Sequence, residues 1–172
     1  MRRNMNRAEI HSRFVETFAS DYHERSIPEV ADLLKVEKAL GTTFPQSYVD
    51  FITTHGSVLT PSLLDLVTGG ESEEAPEGAS FDIREFIAAE EVGDAAEAYW
   101  SGGMDEAVVP IASDCMENVF GFSKSVLEKR PDDLPVMVFD HDFVTVGEEH
   151  SSFDGWLNSF LTMHRLTQAE QD

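Results

Sequence analysis

The stretch VVPIASDCMENVFGFS, residues 108–123, holds two short apolar runs on either side of a polar turn. Both runs, Val108 to Ala112 and Val119 to Phe122, are rich in valine and phenylalanine, which favour β-strands. Val136 to Phe139 and Phe143 to Val146 repeat the pattern further along the chain. Parallel neighbours need crossover connections of about a dozen residues or more, so these closely spaced runs predict an antiparallel meander.

Three amphipathic helices are predicted upstream of these strands. For the first, Asn6 and Glu9 have the spacing of a capping box, in which each side chain bonds to the other residue's backbone. Apolar residues then recur at helical spacing, namely Ile10, Phe14, Phe18 and Tyr22. This spacing places all four on one face of the helix.

Two further helices carry similar start and stop signals. Ser26 and Glu29 are spaced as a capping box for the second helix, and Gly41 is a favourable stop. Its apolar positions are Val30, Leu33, Leu34, Val36 and Leu40. Thr43 and Gln46 repeat the capping-box spacing for the third helix, which ends at the next glycine. Its apolar face comprises Tyr48, Phe51 and Ile52.

The middle of the chain has a different composition. Residues 69–78, GGESEEAPEG, combine glycine and proline with carboxylates and predict an exposed loop. Phe81 to Glu91 and Ala95 to Trp100 are interpreted as short helical pieces interrupted by Gly93.

The last periodic segment predicts a C-terminal helix. Its apolar residues are Phe153, Trp156, Leu157, Phe160 and Leu161. Ser151 and Asp154 are placed to cap its first turn. The order of elements is that of an α+β domain with N-terminal helices, a mainly antiparallel sheet and a C-terminal helix. We divide the chain into an amphipathic helical extension, residues 1–25, and a main domain, residues 26–172.

The charge balance limits the kinds of partner that we expect. The 172 residues carry a net charge of -21, and the sequence pI is about 4.4. Nucleic-acid phosphates and anionic membrane surfaces attract cationic proteins, so neither is an expected partner.

Cys115 is the only cysteine, which excludes an intrachain disulfide, and no run approaches the ~20 apolar residues of a membrane helix. We therefore expect a soluble, cytoplasmic protein.

Several polar side chains have a structural explanation as well as a chemical one. Asp140, His141 and Asp142, joined by His150, have the side chains of a metal site. However, neighbours on a strand point to opposite faces, and aspartate in a turn bonds to the local backbone. Glu37, on an otherwise apolar helix, is interpreted as a brace for a neighbouring loop.

Cys115 is the candidate nucleophile. It would need a distant histidine, such as His55 or His141, to approach it in the fold. A lone cysteine beside a strand is more often a small buried apolar residue. The sequence has no GxxxxGK[ST], GxGxxG, HExxH or GxSxG motif. We therefore predict no catalysis, no metal and no cofactor.

Acidic residues are concentrated in one segment. Between Lys38 and Lys124 the only basic residue is Arg84, whereas sixteen residues are Asp or Glu. A solvated acidic face would have this composition, and so would a loop-rich docking surface for a basic protein. Under the second interpretation, the candidate binding residues are Glu71, Glu73, Glu74, Glu77, Glu90, Glu91, Asp94, Asp105 and Glu106.

Two segments resemble the SUKH superfamily, which includes bacterial immunity proteins and the fungal Smi/Knr cell-wall regulators. In VEKALGTTFPQSYVDFITTHGS, residues 36–57, the matching residues are Glu37, Leu40, Gly41, Phe44, Pro45, Tyr48, Phe51 and Gly56. Further along, they are Asp114, Asn118, Val138, Asp140, Phe153 and Leu157. The chain departs from the family pattern at Glu117, where glycine is common, and at Ser57, where an Asn-Gly-Gly turn usually continues.

The resemblance extends over about residues 30–164 and implies a protein-binding α+β domain. It implies a bacterial immunity protein that neutralises a toxin without catalysis of its own, a nuclease being one suggested class of toxin. One alternative is a regulatory interaction scaffold of the Smi/Knr type without a toxin partner. The other is an enzyme.

Overall fold

The computed structural model describes residues 5–70, 75–76 and 81–171. Within them the helices are α1 Arg7–Phe18, α2 Val30–Leu40, α3 Gln46–His55, α4 Ser62–Thr68, α5 Val92–Ser101 and α6 Phe153–Gln171, with a 3-10 helix at Ala89–Glu91. The strands are β1 Glu85–Phe86, β2 Val108–Ser113, β3 Val119–Ser123, β4 Val136–Asp140 and β5 Thr145–His150. No helix among these residues is long and apolar enough to cross a membrane.

The strands form one antiparallel sheet in the order β1-β2-β3-β4-β5. Val109 of β2 pairs with Phe122 of β3, as expected for two strands joined by a short polar turn. The sequence does not predict β1, which pairs Glu85 with Ser113 at one edge of the sheet. The α+β fold and the antiparallel meander are therefore confirmed.

One face of the sheet packs against helices in a core rich in aromatic rings. Trp156 of α6 contacts Phe120 of β3 and Phe86 of β1, with ring centroids 4.9 and 6.3 Å apart. Phe51 of α3 contacts the same Phe86 at 4.7 Å. Such pairs add about 0.5–1.5 kcal/mol beyond the burial of their area, so they hold α3 and α6 firmly on the sheet.

The other face carries a smaller apolar cluster. Val119 and Phe139 are paired across β3 and β4 and lie in this cluster with Met104 and Val108. Tyr99 and Trp100 of α5 pack against it. Helix α5 therefore lies on the face opposite the main core.

Helix α1 joins the rest of the fold through apolar packing and one arginine. Phe14 and Phe18 are buried in the main core. The Nε atom of Arg7 lies 2.8 Å from Asp154 of α6, and its Nη2 atom lies 2.9 Å from Asp132. The domain boundary at residue 25 stays a prediction, but α1 shares the core of the sheet.

The starts of the first two helices show which capping signals the fold uses. The capping box of Asn6 and Glu9 is confirmed, and both of its bonds measure 3.0 Å. The box predicted for the second helix is wrong, because Glu29 is the N-cap and pairs with Asp32. The hydroxyl of Ser26 bonds instead to a distant glutamate.

The capping box predicted for α3 is also wrong. Its N-cap is Pro45, and no side chain caps it. The Thr43 hydroxyl instead accepts a hydrogen bond from the Leu127 N–H at 3.3 Å. Tertiary contact with a distant loop therefore replaces the predicted local cap.

The first turn of α6 is bonded by residues other than the predicted Ser151 and Asp154. The Ser152 hydroxyl accepts a backbone N–H of that turn at 3.1 Å. Asp133, from the loop before β4, accepts the Phe153 N–H at 2.9 Å. Asp154 turns its carboxylate toward α1 instead.

The middle segment differs most from its predicted structure. Helix α5 runs through Gly93 rather than being interrupted there, because glycine in a helix costs only about 1 kcal/mol relative to alanine. Residues 81–88, predicted as helical, contain β1 and extended chain.

Near the N-terminus, α1 ends at Phe18, and Tyr22 is fully exposed rather than on the apolar face.

The last strand begins two residues later than predicted. Phe143 and Val144 belong to the turn after β4, and β5 begins at Thr145. Both turn residues are exposed, so their apolar character does not report burial in the sheet.

The interpretation of Glu37 as a brace is confirmed. Its buried carboxylate accepts the Phe44 N–H at 2.7 Å, between the end of α2 and the start of α3. Arg130 forms an ion pair with the same carboxylate and also donates to the Phe44 carbonyl oxygen. Glu37 therefore joins α2, the α2–α3 connection and the loop before β4.

Candidate protein-binding surface

A groove of about 620 Å³ lies between the segment before α2, strand β1 and the start of α5. Its lining includes five carboxylates, those of Glu24, Glu85, Glu90, Glu91 and Asp94. Among the described lining residues the one basic side chain is His23. We call this the acidic groove.

One wall of the acidic groove is held by a close backbone contact. The Ser26 N–H donates to the Ser57 hydroxyl at 2.9 Å, and the Ser57 N–H donates to the Ser26 carbonyl at 3.0 Å. Gly56 has φ +73°, and a Cβ there would lie 2.5 Å from the Ser26 carbonyl oxygen. Glycine alone fits this approach, which fixes the segment that carries Glu24.

The negative charge of the groove is not neutralised by cations within the described part of the chain. None of its five carboxylates forms a salt bridge there. Glu90 accepts the Ser26 hydroxyl with both oxygens, at 2.7 and 2.9 Å, but a neutral donor leaves its charge in place. Charges of one sign along a concave surface focus the field outward.

Tyr99 shows how far this field extends. Burial, followed by the carboxylates of Glu85, Glu117 and Asp114, raises the pKa of this groove-lining phenol. Glu117 and Asp114 lie in the turn between β2 and β3. Carboxylates of the groove and of that turn therefore both act on Tyr99.

The predicted binding residues fall into three groups. Glu90, Glu91 and Asp94 come together in the acidic groove. Asp105 and Glu106 are exposed beyond α5, where Asp105 accepts the Ala107 N–H at 2.8 Å and so shapes a turn. The other predicted binding residues, Glu71, Glu73, Glu74 and Glu77, lie outside the described residues. The role of all nine in binding stays a prediction.

Sequence reasoning missed two of the groove carboxylates. Glu85 belongs to the acidic segment but was interpreted as part of a helical piece, not as a residue on an edge strand. Glu24 lies outside that segment and reaches the groove only through the contact between Ser26 and Ser57. The alternation of a polar and an apolar residue at Glu85 and Phe86 is a weak sequence signal that Glu85 is an exposed strand residue. No local sequence pattern identifies Glu24 as a groove residue.

The Asp-His-Asp sequence forms the turn between β4 and β5. The Asp140 carboxylate accepts the backbone N–H groups of Asp142 and Phe143 at 3.1 and 3.2 Å. The His141 N–H donates to the side chain of Asn118 at 3.0 Å. Among the described residues no group of three or more His, Cys, Asp or Glu side chains is arranged to hold a metal ion.

The surroundings of Cys115 disfavour the thiolate. Burial, followed by the nearby carboxylate of Asp82, raises the pKa of the thiol. Burial also raises the pKa of Asp82, which bonds to Cys115. Because the thiolate is the nucleophilic form, this environment is unsuited to nucleophilic catalysis.

Comparison with protein-family models finds one match that covers most of the chain. The model of the SMI1 / KNR4 family (SUKH-1) matches residues 28–159. The chain belongs to this family. A comparison with curated proteins finds no match to the chain.

The SMI1/KNR4 match confirms the resemblance to the SUKH superfamily and covers all five strands. It begins after Ser26, so the part of the acidic groove that contains His23 and Glu24 lies outside the matched region. The groove thus combines family elements, β1 and α5, with a segment that precedes them.

Proposed function

We propose that this SMI1/KNR4-family chain is a non-catalytic bacterial immunity protein. In this proposal it binds a toxin protein with a basic surface in the cytoplasm and so neutralises it. The observation that carries the proposal is the acidic groove, where five carboxylates share one concave surface without a cationic partner among the described residues.

Such a groove suits a cationic protein for electrostatic reasons. Complementary potentials speed diffusional encounter and suppress wrong partners, and they act over about a Debye length of ~8 Å at physiological salt. The net charge of -21 adds to this attraction at longer range. The same charge opposes approach to nucleic acids and anionic lipids.

Protein binding also explains the arrangement of polar residues better than catalysis does. The buried carboxylates of Glu37 and Asp114 bond to backbone N–H groups and to neighbouring side chains, so they act as structural acceptors. Burial and the carboxylate of Asp82 raise the pKa of the Cys115 thiol, which disfavours the nucleophilic thiolate. The carboxylates of the acidic groove are exposed and form no salt bridge among the described residues, so their charge can attract a partner.

The first test is whether a toxin gene lies immediately upstream of this chain's gene, and the second is co-expression with the C-terminal domain of that toxin. Growth should be rescued, and the purified pair should associate more slowly as salt rises. Changing Glu91 and Asp94 together to Lys should slow association about tenfold with a smaller effect on dissociation. The matched control changes Glu16 and Glu128, exposed acids that do not line the groove, to Lys.

Rescue without formation of a complex would contradict the proposal, and so would toxin inactivation that continues after the immunity chain is removed. Equal association rates for the two double variants would show that the partner binds outside the acidic groove. A salt-independent association rate would exclude electrostatic steering.

A further inference from the structure

Two neighbouring turns at one end of the sheet each present an exposed apolar side chain. Met116 lies in the turn between β2 and β3 and is 61% exposed, whereas Phe143 lies in the turn between β4 and β5 and is 77% exposed. The His141 N–H donates to the Asn118 side chain at 3.0 Å and so joins the two turns. We call the pair of turns, residues 114–118 and 141–144, the hairpin tips.

Buried hydrogen bonds beneath the hairpin tips fix their backbone conformation. Asn118 is buried, and its amide donates to Asp114 at 2.8 Å while its backbone N–H bonds to the same carboxylate at 2.8 Å. Asp114 also accepts the Met116 N–H at 2.8 Å. A connected, buried polar network holds a single geometry, so the exposed side chains are displayed on fixed backbone.

The backbone at the hairpin tips is in an unfavourable conformation. Within residues 5–70, 75–76 and 81–171, Glu117 and Val144 are the positive-φ residues other than glycine, with φ +66° and +53°. A β-branched residue such as Val144 rarely adopts the left-handed region, and strain of this kind persists where the surrounding structure enforces it. Val144 lies against Gly103, since a Cβ on that glycine would meet its side chain at 3.1 Å.

The charge around the two apolar side chains is acidic. Glu117 follows Met116, and Asp142 precedes Phe143. Both carboxylates lie near His141, at 3.8 and 3.6 Å from its ring nitrogens. Ser113 lines the acidic groove and directly precedes Asp114, so the hairpin tips adjoin the groove.

We infer that the hairpin tips are the apolar anchor of the partner-binding surface, with the acidic groove beside them supplying electrostatic attraction. The occupant is a cationic polypeptide surface that presents aliphatic or aromatic side chains between lysines and arginines. At protein interfaces a few apolar or aromatic residues usually contribute most of the binding energy, and polar or charged groups surround them. The inference rests on the proposed protein-binding function and assigns its contact residues.

A second copy of the same chain is a poor occupant for this surface. Docking two hairpin tips would bring Glu117 and Asp142 of one molecule near the same residues of the other. Like charges at an interface cost binding energy, and the net charge of -21 on each copy adds repulsion. Charge complementarity therefore selects a cationic partner.

The experiment uses a phage-displayed library of random short peptides selected on the immobilised full-length chain. Enriched peptides should combine Lys or Arg with aromatic or aliphatic residues. Their affinity should fall about tenfold or more for the double variant Met116→Ser and Phe143→Ser. The control double variant Val126→Ser and Leu166→Ser removes side chains that are also exposed, at 79% and 63%, and should bind like the original chain.

The outcomes separate this inference from the proposed function. Cationic peptides that bind equally to both double variants would overturn the hairpin tips as anchor and leave the proposed function standing. Enrichment of acidic peptides, no enrichment at all, or concentration-dependent dimers that the tip variant abolishes would also overturn it. Failure to bind the toxin would contradict the proposed function, whereas the peptide result would still decide the role of the tips.

Discussion

The Nε2 atom of His11 lies 2.7 Å from the Oδ1 atom of Asp154, joining the first helix to the last across the core. The other oxygen of Asp154 binds Arg7 at 2.8 Å. Burial alone would raise the pKa of Asp154, but the hydrogen bonds and charges of His11 and Arg7 outweigh it and lower the pKa below its usual value. The carboxylate is therefore stabilised in its charged form.

Replacing Asp154 with Asn should destabilise the fold at neutral pH and change its acid sensitivity. A lowered folded-state pKa stabilises the protein above the unfolded value of about 3.9, and this contribution is lost as pH falls through the folded-state value. We expect a loss of about 2 kcal/mol at pH 7, because bonds to charged groups contribute ~1.5–3 kcal/mol. The difference from the original chain should shrink below about pH 4.

Urea unfolding at several pH values measures this difference. The control Asp21→Asn changes an exposed carboxylate and should shift stability by less than about 0.5 kcal/mol. A difference for Asp154→Asn that is independent of pH would show that packing, and not charge, accounts for the loss.

The brace at Glu37 should matter far more than an ion pair on the surface. Glu37→Ala leaves Arg130 and the Phe44 N–H without their buried acceptor and should cost ~3 kcal/mol. Lys35→Ala breaks the exposed pair with Asp32, which solvent screens, and should change stability very little. Thermal unfolding compares the two variants, and similar melting temperatures would show that Glu37 is not a brace.

Two glycine-to-alanine substitutions should change the free energy of unfolding in opposite directions. At Gly56 a Cβ meets the Ser26 backbone, and φ +73° with ψ -162° is a conformation nearly restricted to glycine, so Gly56→Ala should lose about 2 kcal/mol or more. At Gly93, in α5, a Cβ meets nothing within 4 Å, so Gly93→Ala should gain ~0.5–1 kcal/mol. Chemical denaturation measures both, and destabilisation by Gly93→Ala would contradict the continuous α5.

Large aromatic side chains in the core and at the hairpin tips should respond differently to truncation. Trp156→Ala and Phe51→Ala remove fully buried rings and should each cost about 3–5 kcal/mol. Phe143→Ala removes an exposed ring and should leave the free energy of unfolding nearly unchanged. Equal melting temperatures for Phe51→Ala and Phe143→Ala would contradict the packing described.

Local signals predicted much of this fold, and tertiary contacts explain the rest. The capping box at Asn6 and Glu9 is satisfied within one helical turn, so spacing alone identified it. Ser26 has the same type of spacing, but its hydroxyl bonds to Glu90, 64 residues away. No sequence pattern reports such a bond, which is why the predicted start of α2 was wrong.

The candidate site shows the same division. Glu90, Glu91 and Asp94 are close in sequence, and the acidic composition of their segment identified them. Glu24 joins them only because Gly56 permits the Ser26 backbone to approach closely. At the hairpin tips, Phe143 was interpreted as a strand residue because its apolar character indicates burial in most proteins. Phe143 is exposed because it lies in the turn, and the alternation of apolar and polar residues along a strand does not show where the turn ends and the strand begins.

The last prediction concerns the predicted loop that carries Glu71, Glu73, Glu74 and Glu77. Changing all four to Lys should slow association with the proposed toxin partner much more than it speeds dissociation, since charges at an interface rim act mainly on encounter. Stability should barely change, because surface substitutions usually stay within about 0.5 kcal/mol. The matched control changes the same number of exposed acids at scattered positions, namely Glu16, Glu128, Glu148 and Glu170.

Both sets alter the net charge equally, so a nonspecific effect of total charge would slow association equally in the two variants. Local steering predicts a larger effect for the four loop residues, and that difference should fade as salt shortens the Debye length from ~8 Å toward ~3 Å at 1 M. Stopped-flow association at low and high salt measures it. An unaltered association rate with full rescue by the loop variant would mean that these four glutamates form a solvated face and that the proposed toxin partner binds elsewhere on the chain.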